Sequence, residues 1–183
     1  MAYIRENVDA WIGGCPDPDM FINVTGNTFV RAGDLEVGQQ IWTVHETTNV
    51  PGLYTITSKE IVEQPKMVIS FAGLGQSIIV SESHRFKTGD TWTYAKHLKP
   101  GLPVNLVGQE KDFLDTIVTV MDMKYHGMGP VVKLEIDEAH TYLVHGLVSH
   151  NTKVLIQPEG DSFFYYVTQE EYNRLYGEKV TTA

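Results

Sequence analysis

Short apolar runs with strand-like spacing recur along most of this chain, each bounded by turn residues. β-Branched and aromatic residues concentrate at 27–31, 40–44, 53–57, 67–72, 77–80, 116–121, 131–136 and 141–144. Each run reads as a strand. The breaks fall at Thr25-Gly26-Asn27, Pro51-Gly52, 73–75, Thr88-Gly89-Asp90, Pro100-Gly101 and 127–130, all rich in Gly, Pro, Asn or Asp. Many short strands spaced roughly 8–12 residues apart predict a sandwich or compact barrel-like β fold. The chain has no repeat of fixed period and no low-complexity tract.

The two ends are patterned differently. Ile4, Val8 and Trp11 are spaced for one face of a short helix within residues 1–14, which Gly13-Gly14 would break. Near the other end, residues 162–167 form an aromatic strand candidate. Thr168-x-x-Glu171 then reads as a capping box opening a helix over 169–176, stopped by Gly177. The joins between the β-rich middle and its flanks fall near Gly14-Cys15 and Asn151-Thr152.

Composition narrows the function classes. The 183 residues are 42% apolar and 20% charged, ordinary for one globular domain. A net charge of −9 argues against non-specific binding to nucleic acid or anionic membrane. No apolar run reaches the roughly 18 residues of a transmembrane helix. The first fourteen residues carry early acids and no apolar core, so they do not read as a signal peptide. A monomeric cytoplasmic protein, with neither nucleic-acid nor membrane partner, is the expectation. The single cysteine, Cys15, excludes an internal disulfide and any multi-cysteine metal site.

The two joins carry chemistry. A thiol at Cys15 can attack the preceding Gly14 carbonyl and convert that amide to a thioester, given a nearby base. Glycine on the acyl side obstructs the attack least. At the other join, the Asn151 side-chain amide can attack its own carbonyl carbon, form a succinimide and break the chain after itself. His150 before it can move the required proton. Thr152 would then carry a free amine and a hydroxyl nucleophile. Between the joins, Ser81-x-x-His84 sets a hydroxyl and an imidazole three positions apart at the end of an apolar strand. Both can approach one carbonyl if the strand bends there. Taken singly, each feature also fits a plain turn, a buried small residue or a surface histidine.

In this order the elements resemble the blocks of an intein, a self-splicing protein of the Hedgehog/intein (Hint) superfamily. Asp19 to Asn23, then Thr28 to Gln39 with its Asp34-Leu35-x-x-Gly38 turn, resembles the first block. Ser81-x-x-His84, followed by Trp92 and Ala95-x-x-Leu98-x-x-Gly101, resembles the second. Val131 to Ile136, then His140-Thr141-Tyr142-Leu143-Val144-x-Gly146-Leu147-Val148-Ser149-His150-Asn151-Thr152, resembles the two C-terminal blocks.

The resemblance covers residues 15–151. It implies an all-β, horseshoe-shaped Hint fold, with 1–14 and 152–183 as short mixed flanking extein segments. Residues 108–112 stand where many relatives insert a homing endonuclease, so this would be a mini-intein.

The resemblance also implies roles. Cys15 attacks Gly14, with Ser81 and His84 activating that bond. Thr152 takes the acyl group, and Asn151 cyclises with help from His150 and His140. The flanks are the protein's own partners in the reaction, and no cofactor is needed. Zinc is conceivable only as an inhibitor on Cys15 and a nearby histidine. The alternatives are a Hint domain that cleaves at one or both ends without ligation, and an inert β-rich scaffold.

Three positions depart from the family pattern. Ser81 replaces threonine and keeps the hydroxyl while losing the methyl that fixes its rotamer. Pro16 follows the nucleophile, removes a backbone donor and restricts Cys15 to extended conformations. It either strains the scissile bond or misplaces the thiol. Lys133 stands where relatives have an aspartate, and Glu135 and Asp137 lie two and four residues on. His45, His97, His126 and His145 match no family position and read as surface residues. Trp42 and Phe71 read as core, and Asp34 and Gly38 as turn formers.

Overall fold

The computed structural model describes residues 2–4, 11–12, 15–107, 116–150, 153–158 and 165–168. The regular structure there is β, apart from short 3-10 turns at Ala32–Asp34 and Ala95–His97. Two sheets form. A small one joins the flanks: β1 (Ala2–Ile4), β2 (Trp11–Ile12), β14 (Lys153–Pro158) and β15 (Tyr165–Thr168). The larger sheet holds the eleven strands between. These are β3 (Phe21–Asn23), β4 (Phe29–Arg31), β5 (Gln40–Val44), β6 (Pro51–Ala72), β7 (Ile78–Ser81), β8 (Arg85–Thr88), β9 (Thr91–Tyr94), β10 (Pro103–Leu106), β11 (Thr116–Ile136), β12 (Thr141–Val144) and β13 (Leu147–His150).

The backbone of the large sheet is a ribbon of β6 and β11, 22 and 21 residues long and paired antiparallel. The sequence predicts two strands in each place, 53–57 and 67–72 after a break at Pro51-Gly52, and 116–121 and 131–136 about a break at 127–130. The chain instead runs straight on. β11 absorbs its glycine- and proline-rich stretch as a register shift between Tyr125 and Gly127, where Gly127 adopts φ +115°. Glycine reaches that region without a Cβ clash, so a bulge replaces the turn. β5, β7 and β10 pair along the ribbon.

Two hairpins complete the site's frame. β8 and β9 turn through Gly89-Asp90, as the sequence predicts. β12 and β13 turn through His145 and Gly146, with φ +49° and +83°, the two positive angles of a type I′ turn. A Cβ on Gly146 would also lie 2.8 Å from Leu106 Cδ1. All eight residues of these two strands are buried. Tyr142, Val144 and Leu147 pack in a core with Ile22, Phe86, Leu98, Val132 and Leu134, and Phe71 joins them as expected, while Leu143 and Val148 pack with Val44 and Val107.

At the ends the structure differs from the sequence pattern. Among the described residues, Ala2–Ile4 and Trp11–Ile12 are extended and pair with β14, so Ile4 and Trp11 do not share one helix. A partner strand satisfies their backbone groups, and tertiary pairing overrides a weak helical periodicity. The predicted C-terminal strand appears as β15, paired with β14. The helix predicted over 169–176 lies outside the described residues.

Candidate active site

Cys15 is almost fully buried, at 1% exposure. It enters as an extended segment clamped on both sides. The Cys15 carbonyl accepts from Ser81 N at 2.8 Å, and Asp17 N donates to the Ile79 carbonyl at 2.9 Å. On the other side, Val132 N donates to the Pro16 carbonyl at 2.8 Å. Pro16 is bridged to Val80 between the two ladder bonds. Toward β7 a residue at that position needs no backbone donor, so the missing N–H of proline costs that ladder nothing. Proline thus reinforces the extended entry of the nucleophile and leaves the clamp intact.

Cys15 N is the nitrogen of the Gly14–Cys15 amide. It donates to Ser81 Oγ at 3.1 Å in a buried bond. The Ser81 hydroxyl therefore touches that amide at its nitrogen, where the Ser-x-x-His spacing suggests an approach to a carbonyl. His84 N donates to the Ser81 carbonyl at 3.0 Å, which turns the chain from β7 toward β8 and brings the imidazole inward.

His84 is fully buried against Phe86 and Tyr142. Burial, with a smaller contribution from the Arg85 charge, pushes its pKa down to about 3. The ring is therefore neutral at physiological pH. Its Nε2 lies 2.7 Å from Ser149 Oγ. The Ser149 hydroxyl donates to the Leu147 carbonyl, so it accepts from Nε2–H. Nδ1 then carries a lone pair, is buried, and has no hydrogen-bond partner. The neutral imidazole thus presents one open lone pair at Nδ1, and its lowered pKa makes it a weak base.

His150 is 1% exposed at the end of β13. Its Nε2 donates to Glu46 Oε2 at 2.6 Å, and Arg85 Nη2 donates to its Nδ1 at 3.3 Å. The edge of Trp92 closes one face, with ring centroids 4.8 Å apart. The Glu46 backbone is fixed through its N–H to the Ala139 carbonyl. His140, partly buried with φ +55°, has a buried Nδ1 with no hydrogen-bond partner. Among the described residues it bonds to neither His84 nor His150. The register Thr141↔His150 sets it at the His150 end of the β12–β13 hairpin.

The structure thus brings four sequence-predicted residues into one chain of contacts: Cys15 to Ser81, Ser81 to His84, and His84 through Ser149 to the strand ending in His150. Gly14, Asn151 and Thr152 lie outside the described residues. Lys133 faces Glu60 at 3.7 Å. Burial pulls its pKa down, while Glu60, Cys15 and Glu135 pull it back up. A cation therefore sits within electrostatic reach of the Cys15 thiol. Asp137 is structural, its carboxylate and N–H closing a ring with Thr55 of β6. His145 is not the surface residue its sequence context suggests. Half-buried, it accepts from Phe21 N and contacts Gln76, tying the β12–β13 turn to β3. Burial lowers its pKa.

Sequence reasoning missed Glu46, Arg85, Ser149 and the buried ion pair of Asp17 with Lys66 at 2.7 Å. Glu46 and Lys66 lie in segments with no motif. Asp17 and Ser149 stand beside Cys15 and His150, and that adjacency was the available signal. Among the described residues, no three His, Cys, Asp or Glu side chains gather as a metal site. None of the helices there is long and apolar enough to cross a membrane.

No protein-family model matches the sequence, and no curated protein is similar to it. Solved structures are similar in fold. The DnaB intein from Synechocystis sp. PCC 6803 superposes with a TM-score of 0.67 at 20% identity, covering 75% of this chain and 98% of that one. The gp41-1 intein gives 0.61 at 18% identity, over 76% and 99%. A bacterial intein-like domain from Clostridium thermocellum gives 0.62 at 17%, over 76% and 99%. The fold is the all-β Hint fold of the mini-inteins.

Proposed function

We propose that this chain, with its Hint fold, is a mini-intein that excises residues 15–151 and ligates Gly14 to Thr152. One observation carries the reading: the buried Cys15, whose amide nitrogen touches Ser81, is linked through His84 and Ser149 to the strand that ends in His150. The resemblance of both joins to intein blocks and the fold of the solved neighbours support it.

The chemistry follows from the groups present. His84 Nδ1 takes the Cys15 thiol proton, and the sulfur attacks the Gly14 carbonyl carbon. The Gly14–Cys15 C–N bond breaks, and the Cys15 nitrogen receives the proton. Ser81 holds that nitrogen throughout. Thr152 Oγ then attacks the thioester, and the thiol leaves as it regains a proton. The Asn151 side-chain nitrogen attacks its own carbonyl carbon and sheds a proton. The Asn151–Thr152 bond breaks, and the Thr152 nitrogen gains a proton, with His150 and His140 as carriers. That amine finally displaces the ester oxygen. The chain itself supplies every reactant, and no cofactor enters.

Intact mass of the 183-residue chain over time tests this. The expected products are a 15–151 fragment and residues 1–14 joined to 152–183, both absent from Cys15→Ala and Asn151→Ala variants. Separate release of either flank without ligation would leave a cleaving domain instead. An unchanged mass, with and without thiol, would leave an inert scaffold.

A further inference from the structure

The His150 imidazole is gripped from a part of the chain that carries no family motif. Glu46 lies in the turn between β5 and β6, 104 residues away, and its Oε2 stands 2.6 Å from His150 Nε2. Two features make this a built contact. The Glu46 backbone is bonded to Ala139, beside the other C-terminal histidine. The Glu46 side chain is only 19% exposed and that of His150 2%. Short charge-assisted bonds in such surroundings are the strong ones. We propose that Glu46 is a positioning residue for the C-terminal step: its carboxylate holds His150 with the proton on Nε2 and commits Nδ1 to proton exchange.

A carboxylate accepts only, so Nε2 must donate. Nδ1 then has the lone pair, consistent with the donor Arg85 Nη2 facing it at 3.3 Å. When Asn151 Nδ2 attacks and sheds its proton, Nδ1 takes it and the ring becomes an imidazolium. The Glu46 carboxylate offsets that charge. Nδ1 then delivers the same proton to the departing Thr152 nitrogen, and the neutral ring returns. Among the described residues, the charged groups that face the ring are Glu46 from the β5–β6 turn and Arg85 from β8. The uncharged Trp92 edge comes from β9. Arg85 opposes a positive ring and Glu46 favours it, so removing Glu46 leaves the opposing charge alone.

This rests on the splicing reading, and the test separates the two. A Cys15→Ala chain isolates cleavage after Asn151, followed by mass. Against that parent, Glu46→Ala is expected to slow cleavage roughly 10- to 100-fold, the worth of a hydrogen bond to a charged group. Glu46→Gln, which keeps an acceptor but no charge, should lie between, and Glu46→Asp should recover part of the rate. A parent that does not cleave overturns the splicing reading and this inference with it. A parent that cleaves while Glu46→Ala and Glu46→Gln match its rate overturns the role of Glu46 alone. ¹⁵N shifts of His150 in an Asn151→Ala chain give an independent readout. Protonated Nε2 with unprotonated Nδ1 is expected, and is to be lost in Glu46→Ala. The opposite tautomer would refute the assignment even if variants fold poorly.

Discussion

His84 sits neutral in apolar surroundings, and stability depends on keeping it so. Its folded pKa of about 3 lies below the ordinary value of 6.5. Between those values the unfolded chain binds a proton that the folded chain does not. Stability from this group is therefore full above about pH 6.5 and is lost as pH falls toward 3. Thermal melts of Cys15→Ala and Cys15→Ala/His84→Gln chains at pH 7 and pH 4 check this. The histidine chain should lose more melting temperature on acidification. Equal losses would mean that the ring is not kept neutral. The same burial makes the ring a weak base, so a proton reaching Nδ1 is passed on rather than held.

At the scale of elements, the cysteine segment is fastened to the ribbon by more than its ladder. The Lys66 ammonium, in β6, reaches Asp17 at 2.7 Å and the Pro130 carbonyl of β11 at 3.2 Å. Removing one member of a buried pair leaves an uncompensated charge, at a cost of about 3–5 kcal/mol. Lys66→Met in a Cys15→Ala chain should therefore melt well below its parent, and adding Asp17→Asn should restore part of the loss. No restoration in the double variant would show that Lys66 acts by packing alone. Sequence pattern marked β5 and β12 to the residue, because β-branched and aromatic runs and the residues bounding them agreed there. It split β11, because a bulge carries Gly and Pro where a turn was expected, and β6, because the polar run 58–66 between its two apolar stretches is paired with β11 all the same. It singled out Ser81 and His84 through their spacing, and the fold sets the Ser81 hydroxyl against the Cys15 nitrogen. Glu46 stayed invisible, since an acid in a turn looks like any solvated acid until the fold sets it against His150.

Across the whole molecule, the flanks form a sheet of their own. β2 pairs with β14 as Trp11↔Val154 and Ile12↔Lys153, and β15 lies on the other edge. β14 is thus a central strand, where proline removes a ladder donor. Val154→Pro should lower the ratio of ligated product to separately cleaved flanks, measured by mass after complete reaction. An unchanged ratio would mean that flank pairing does not help ligation. From the standpoint of that small sheet, residues 15–151 are one very long loop joining two neighbouring strands. Splicing would leave only Gly13, Gly14 and Thr152 between the paired Ile12 and Lys153. Three residues make an ordinary hairpin turn, and a shorter closure costs less chain entropy. The spliced chain would then close as a three-stranded meander, with the former insertion point reduced to a tight turn.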